Sequence, residues 1–288
     1  MPTLNQTKPF LTYTQQIELL KKRGLIITDD RKAEAILRRA NYYRLSAYSL
    51  TLRLDDVFYP DVTLEDIVEL YDFDADFRKV ILEFSSAAET AARAYIAYYH
   101  ARTYGPLGYM NNQNFRVESF HAKFLLELKS ALDRSADVFV IHHRENKNGI
   151  FPIWAAIEEM SFGMLSRFYK NMLSRDRVAI AKEFYGIPKE YVENFMQCAV
   201  VARNIAAHGG RFYNRIHLDP AVRLPKKLSK VENDRPFAYV FAIFKLLPDE
   251  KKMDLLRELK RIFHKHPFAQ GRYLGFPENW EDVLSNNM

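Results

Sequence analysis

Apolar residues recur at helical spacing along nearly the whole chain, and turn-forming residues divide the pattern into segments. One helical segment begins at Asn41, and another, shorter one follows Pro277. No stretch of alternating polar and apolar residues indicates a sheet. The pattern therefore predicts an all-α fold, a helical bundle. The main predicted helices cover residues 14–23, 31–39, 64–102, 117–134, 153–172, 175–185, 189–208, 236–247 and 249–263.

Capping and breaking residues set the bounds of these segments. Thr63 with Asp66 three residues later forms a capping-box pattern, which predicts the start of the longest helix. That helix is expected to end at Gly105–Pro106, with a possible break near Ser85–Ser86. The pair Gly209–Gly210 is expected to end the helix that runs up to His208.

One stretch is a candidate boundary within the chain. Residues 218–234 contain Pro220, Pro225 and several lysines. We therefore expect a helical domain over residues 1–217, including the amino-terminal helices, and a helical extension over residues 218–288 packed on the same core.

Composition narrows the class of protein. Of 288 residues, 48% are hydrophobic and 10 are glycine, which argues against long disordered tails and against a turn-rich barrel. The net charge of +6 is compatible with a polyanionic partner. A single cysteine excludes a disulfide within the chain and a cysteine-based zinc site. Met1–Gln6 lacks a signal-peptide pattern and no apolar run is long enough to span a bilayer, so we expect a cytoplasmic protein without membrane contact.

Residues 195–215 carry the candidate chemistry. Asn204 and His208 are four residues apart and share one helical face, and Arg203 lies beside them. Arg211, Asn214 and Arg215 continue a polar, cationic pattern beyond the glycines and are candidates for substrate binding. The opposite face is apolar and is expected to pack inward. Its members are Phe195, Cys198, Ala202 and Ile205.

This set of residue types suits cleavage of RNA without a metal or other cofactor. A histidine serves as acid or base near neutral pH, and an arginine stabilises charge on the phosphorane. Each chain offers one such histidine, His208, and a symmetric dimer would supply the second proton-transfer group. Capping and surface ion pairing are the more common roles for Arg203 and Asn204 at a helix end, so the motif alone favours that structural interpretation.

Other polar clusters favour structural interpretations. Glu89 and Arg93, four residues apart, are expected to form a local ion pair, with an auxiliary role in the site as the second possibility. Aromatics such as those of Tyr42–Arg44 are more often core residues than stacking platforms for RNA bases.

Histidine pairs and the lone thiol complete the candidates. His142–His143 and His264–His266 are expected to be solvated loop residues and not metal ligands. Cys198 is expected to be a buried structural thiol. Ser161–Gly163 lacks the leading glycine of a hydrolase elbow and is expected to lie inside a helix.

The chain resembles a known family in a series of short motifs spread over most of its length. Arg203–His208 matches the Arg-x4–6-His signature of HEPN domains, in which a polar residue often follows the arginine. The wider sequence is similar to the Abi-like (Abi D/F) abortive-infection family. Its markers are Lys8–Tyr13 with Gln16, Arg23–Leu25, Tyr42–Ser46, Leu70–Asp74, Pro152–Trp154, Met160–Gly163, Leu165–Tyr169, Arg203–Arg215 and Gly275–Trp280.

The resemblance implies a HEPN-like fold and a toxin-like endoribonuclease of anti-phage defence. Such an enzyme would work as a metal-independent homodimer, with Arg203, Asn204 and His208 as catalytic residues, and would leave a 2′,3′-cyclic phosphate. A neutralising antitoxin or small regulatory RNA would be a further partner. The sequence departs from the family at Gly209, where relatives often carry a second histidine. The alternatives are an inactive HEPN-like module that binds RNA or protein, and a helical scaffold without a nucleic-acid role.

Overall fold

The computed structural model describes residues 9–288 and confirms the all-α prediction. Residues 1–8, which include Met1–Gln6 and the first residue of the Lys8–Tyr13 motif, lie outside it. Thirteen α-helices occur in the described residues. They are α1 (Tyr13–Lys22), α2 (Asp30–Arg39), α3 (Tyr42–Tyr48), α4 (Leu64–Tyr104), α5 (Glu118–Arg134), α6 (Val138–Asn146), α7 (Ile153–Ala156), α8 (Phe162–Asn171), α9 (Ser174–Ile180), α10 (Lys189–Ala207), α11 (Pro236–Leu246), α12 (Asp249–Lys265) and α13 (Trp280–Ser285).

A small hairpin interrupts the helices between α3 and α4. Its two strands, β1 (Arg53–Leu54) and β2 (Val57–Phe58), pair antiparallel with Arg53 opposite Phe58. Asp55 and Asp56 form the turn with positive φ, a conformation that aspartate tolerates better than most residues. Strands of two residues carry too little alternation to be predicted from sequence.

Helix α4 is the central support of the fold. The predicted capping box is present, because the Thr63 hydroxyl accepts from the Asp66 amide and the Asp66 carboxylate accepts from the Thr63 amide. The helix continues unbroken for 41 residues, about 60 Å, until Gly105 adopts positive φ. The possible break near Ser85–Ser86 is absent, because the helix runs through both residues. The Ser85 hydroxyl donates to the Leu82 carbonyl one turn earlier.

The segment predicted as one helix over 153–172 is two helices, α7 and α8. A single turn of 3₁₀ helix over 157–159 separates them, and the chain turns at Met160. The Ser161 hydroxyl then accepts from the Met164 amide and caps α8. The expectation that Ser161–Gly163 lies inside a helix is therefore wrong at Ser161. This break matters because it frees the Met160 carbonyl for a tertiary hydrogen bond.

The carboxyl-terminal helices share the apolar core of the rest of the chain. Helix α11 is buried around almost its whole circumference and packs against α10 and α4, while α12 packs on α4. At the end of α12, Asp76 of α4 meets Lys265 at 2.6 Å and His266 at 3.1 Å. The division at residues 217 and 218 stays a prediction. Over residues 9–288, no helix has the combined length and apolar character needed to cross a membrane.

Candidate functional site

The carboxyl-terminal half of α10 separates apolar from polar residues as its periodicity predicts. Phe195, Cys198 and Ala202 are buried against the core, and Ile205 is partly buried. Asn204 and His208 lie on the opposite, exposed face. The helix therefore presents these two polar side chains to solvent from a firmly packed support.

The end of α10 is a Schellman motif that places His208 at the helix terminus. The Gly209 amide donates to the Ala206 carbonyl at 3.1 Å, and the Gly210 amide donates to the Ile205 carbonyl at 2.7 Å. Gly209 has φ +66, which favours glycine. A Cβ on Gly210 would lie 2.8 Å from the Ile205 Cγ2 and 3.0 Å from its carbonyl oxygen. Both glycines are thus required for a tight end immediately after His208.

Arg203 is held in place by two neighbours. Its Nη1 donates to the Asn204 Oδ1 at 3.1 Å, and its Nη2 lies 3.8 Å from the Glu89 Oε2. The other Glu89 oxygen accepts from Arg93 at 2.5 Å, so the predicted intrahelical pair is present. Arg93 also donates to the Met160 carbonyl at 2.7 Å. The structure thereby brings the auxiliary pair Glu89–Arg93 next to Arg203.

Glu89 is nearly fully buried between the two arginines. Burial raises the pKa of Glu89 above its usual range, while the charges of Arg93 and Arg203 act in the opposite direction. Arg203 itself remains about one-third exposed. The buried Glu89 carboxylate fixes the position of the Arg203 guanidinium. Because that guanidinium is partly exposed, an anionic ligand can still reach it.

Arg44 joins the site from α3, a placement that sequence reasoning missed. Its Nη2 donates to the Gly209 carbonyl at 2.7 Å, and its guanidinium lies over the Tyr71 ring at 5.6 Å. Arg44 therefore braces the turn that follows His208. The adjacent Tyr43 is 83% exposed, so the expectation of a core role for that ring is wrong.

The three predicted substrate-binding residues lie on the segment after the glycines and are engaged by the protein. Arg211 donates to the Ala47 carbonyl at 2.7 Å, and Arg215 lies 3.3 Å from the Arg211 carbonyl. Asn214 adopts positive φ, and its amide donates to the Tyr273 carbonyl. All three are half-buried, so their side chains are less free than the sequence pattern implied.

Asp74 binds the backbone of the segment that follows Gly210, a positioning role that was not predicted. One carboxylate oxygen accepts from the Phe212 and Tyr213 amides at 2.9 and 2.8 Å. The other accepts from the Tyr48 hydroxyl at 2.8 Å and from Arg78 at 2.5 Å. This fully buried carboxylate ties α3 and α4 to the backbone just after His208.

None of the four histidines is a solvated loop residue, because three lie on helices and the fourth is buried. His143 lies on α6, contacts the Phe139 carbonyl at 2.8 Å and stacks on Phe151. His142 lies on the same helix. His264 is exposed but belongs to α12, and His266 is buried beside Asp76.

Cys198 agrees with its predicted structural role. Its side chain is fully buried, and burial raises the pKa of the thiol to about 12. Such a thiol stays protonated and is a poor nucleophile.

Within the described part of the chain, no group of three or more histidine, cysteine, aspartate or glutamate residues is arranged to hold a metal ion.

Comparison with known proteins identifies a family. The model of a family described as Abi-like protein matches residues 35–214, which is more than half of the chain. The matched region includes Glu89, Arg93, Arg203 and His208, and it ends one residue before Arg215. No curated protein and no solved structure matches the chain.

Proposed function

Since the chain belongs to the Abi-like protein family, we propose that it is a metal-independent endoribonuclease of abortive-infection defence. Membership of this family supports a role in abortive infection. The HEPN-like ribonuclease activity is proposed in addition, from the residues at the end of α10. One observation carries it: His208 is exposed at the end of α10, and the guanidinium of Arg203, five residues earlier in the chain, is held by Glu89 and Asn204.

The reaction proposed for this site is transesterification of RNA. A general base removes the proton from a ribose 2′-hydroxyl, whose oxygen attacks the adjacent phosphorus. The bond to the 5′-oxygen breaks, and a general acid protonates that oxygen. The products are a 2′,3′-cyclic phosphate and a 5′-hydroxyl. His208 transfers a proton, Arg203 stabilises the charge on the phosphorane, and Asn204 orients Arg203.

A second proton-transfer group comes from a second copy of the chain in this proposal. His208 is exposed and therefore accessible to a partner protomer. An isologous interface around a twofold axis would bring two copies of His208 together. A toxic enzyme of this kind would also need a neutralising antitoxin or small regulatory RNA in its host.

The second candidate function is an inactive HEPN-like module that binds RNA or protein. It is favoured by the contacts of Arg203, because pairing with Glu89 and Asn204 also fits a purely structural arginine. The two functions differ in whether loss of the exposed imidazole changes RNA chemistry.

Expression in a bacterial host tests the proposal. The wild-type chain, His208→Ala and His264→Ala are induced to equal levels, with growth and RNA integrity followed over time. His264 is the matched control because it is also an exposed histidine but lies on α12. We expect growth arrest and RNA fragmentation with wild type and with His264→Ala only. Equal effects of all three chains, or no RNA fragmentation by any, would refute the ribonuclease role.

A further inference from the structure

A cavity of about 590 Å³ opens between α5, α8 and the exposed face of α10. Aromatic rings form much of its wall, among them Phe115, Phe124 and Phe168. A fourth ring, that of Phe120, is 63% exposed at the cavity. A phenylalanine ring kept in water beside a cavity costs free energy unless a ligand covers it.

The rim of this α5–α8–α10 cavity is positively charged. The lining contains four cationic side chains and two carboxylates, so it carries two more positive than negative charges. The cations are Arg116, Lys123, Arg167 and Lys170. One of those carboxylates, Glu127, pairs with Arg167 at 2.5 Å and lies 4.0 Å from Lys123. Arg116 has no carboxylate within ion-pair distance among residues 9–288. The charge therefore favours an anionic occupant over a second copy of this chain, whose net charge is +6.

The cavity shares one face of α10 with two of the proposed catalytic residues. Gln197, Val200 and Val201 line it, and Asn204 and His208 follow on the same helical face. From Val201 to His208 the helix rises about 10 Å at 1.5 Å per residue. A single strand bound at His208 is therefore within a few nucleotides of the cavity.

We propose that this cavity receives a base of single-stranded RNA bound next to the cleaved phosphodiester, which rests on the proposed function. Phe120 stacks on the base, and Arg116 and Lys123 hold the flanking phosphates. Aromatic platforms combined with cations are the usual means of binding single strands. A duplex keeps its bases paired and cannot insert one, so single strands are preferred.

Binding of a labelled ten-nucleotide single-stranded RNA tests the proposal in a His208→Ala background, where cleavage does not interfere. Phe120→Ala and Lys123→Glu remove the stacking ring and a rim cation. Leu126→Ala and Lys129→Glu are matched controls, since both residues are exposed on α5 outside the cavity. We expect each cavity variant to raise Kd about tenfold. Each control should stay within about twofold of the parent, and a duplex of equal length should bind more weakly.

Several results would overturn this assignment. Equal binding by the cavity variants and the control variants would do so, as would a parent chain that does not bind single-stranded RNA. Conversion of a dimer to a monomer by Phe120→Ala, with unchanged RNA binding, would assign the cavity to a second copy. Failure of the catalytic proposal is separate: if His208→Ala cleaves like wild type while Phe120→Ala still weakens binding, the cavity stands and the catalytic role of His208 falls.

Discussion

The position of His208 depends on single residues that end helix α10 in a tight turn. Gly209 supplies the left-handed conformation and Gly210 the space beside Ile205, while Arg44 clamps the Gly209 carbonyl. A residue that transfers protons must be exposed yet fixed, and a Schellman turn provides both at a helix end.

Gly210→Ala tests the requirement for space after His208. The added methyl group meets the Ile205 side chain and carbonyl, so we expect a loss of about 1–3 kcal/mol in the free energy of unfolding. RNA cleavage should fall as well, because the turn that carries His208 is distorted. Urea unfolding measures the first effect. Gly163→Ala is the control, since its nearest contact would be an ordinary 3.6 Å and stability should hold or rise.

Asp74→Ala tests the anchoring of the segment that follows the site. The substitution leaves Arg78 without its carboxylate and two buried amides without an acceptor, so we expect a cost of about 3–5 kcal/mol. Asp72→Ala, on the same helix and exposed, should change stability by about 0.5 kcal/mol or less. Equal unfolding midpoints for the two variants would contradict the anchoring role.

Local sequence patterns predict faces but not long-range pairs. The 3.6-residue period was enough to place Cys198 inside and His208 outside. The pairing of Glu89 with Arg203 and the bonds of Asp74 join residues far apart in the chain. No local spacing encodes such contacts, because they depend on how α4 and α10 pack.

Among the secondary-structure elements, helix starts were predicted best where a capping side chain is present. Thr63 and Asp29 both cap the predicted helices. The break between α7 and α8 was missed because helical periodicity continues through it, and α6 was missed because its apolar residues are not confined to one face. The break at Met160 is held by a tertiary bond from Arg93, which sequence cannot show.

Helix α4 also buries His100, whose ring lies edge-on to Tyr104, Phe115 and Phe168. Neither ring nitrogen has a hydrogen-bond partner within residues 9–288. Burial lowers the pKa of His100 to about 4 from an ordinary value near 6.5. The folded chain therefore binds this proton less well than the unfolded chain. Stability should be lost as the pH falls from about 6.5 to 4, by up to about 3 kcal/mol.

His100→Phe tests this acid sensitivity. The variant keeps a ring of similar shape and removes the protonation site, so unfolding free energy near pH 7 should change little. Between pH 6.5 and 4 the variant should lose less stability than wild type, whereas His264→Phe, at an exposed position, should follow wild type. Urea unfolding across this pH range is the measurement. Parallel curves for His100→Phe and wild type would show that His100 does not cause the effect.

The proposed reaction requires two chains of the protein. Each chain contributes one His208, exposed and able to face its counterpart. Equal amounts of wild-type and His208→Ala chains, allowed to exchange, should form about one-quarter wild-type homodimers by random pairing. If the site is shared, we expect the mixture to have about one-quarter of the activity of wild type at the same total chain concentration. Activity near one-half, from independent sites, would contradict a composite site.

The most direct test of metal-independent ribonuclease activity is cleavage of a defined single-stranded RNA by purified protein in excess EDTA. Wild type and His264→Ala are expected to produce fragments ending in a 2′,3′-cyclic phosphate, identified by mass spectrometry. His208→Ala and Arg203→Ala should each be slower by about 100-fold or more, with thermal unfolding unchanged. Cleavage by His208→Ala at the wild-type rate would contradict the catalytic role of His208, and activity that requires an added divalent ion would contradict a metal-independent mechanism.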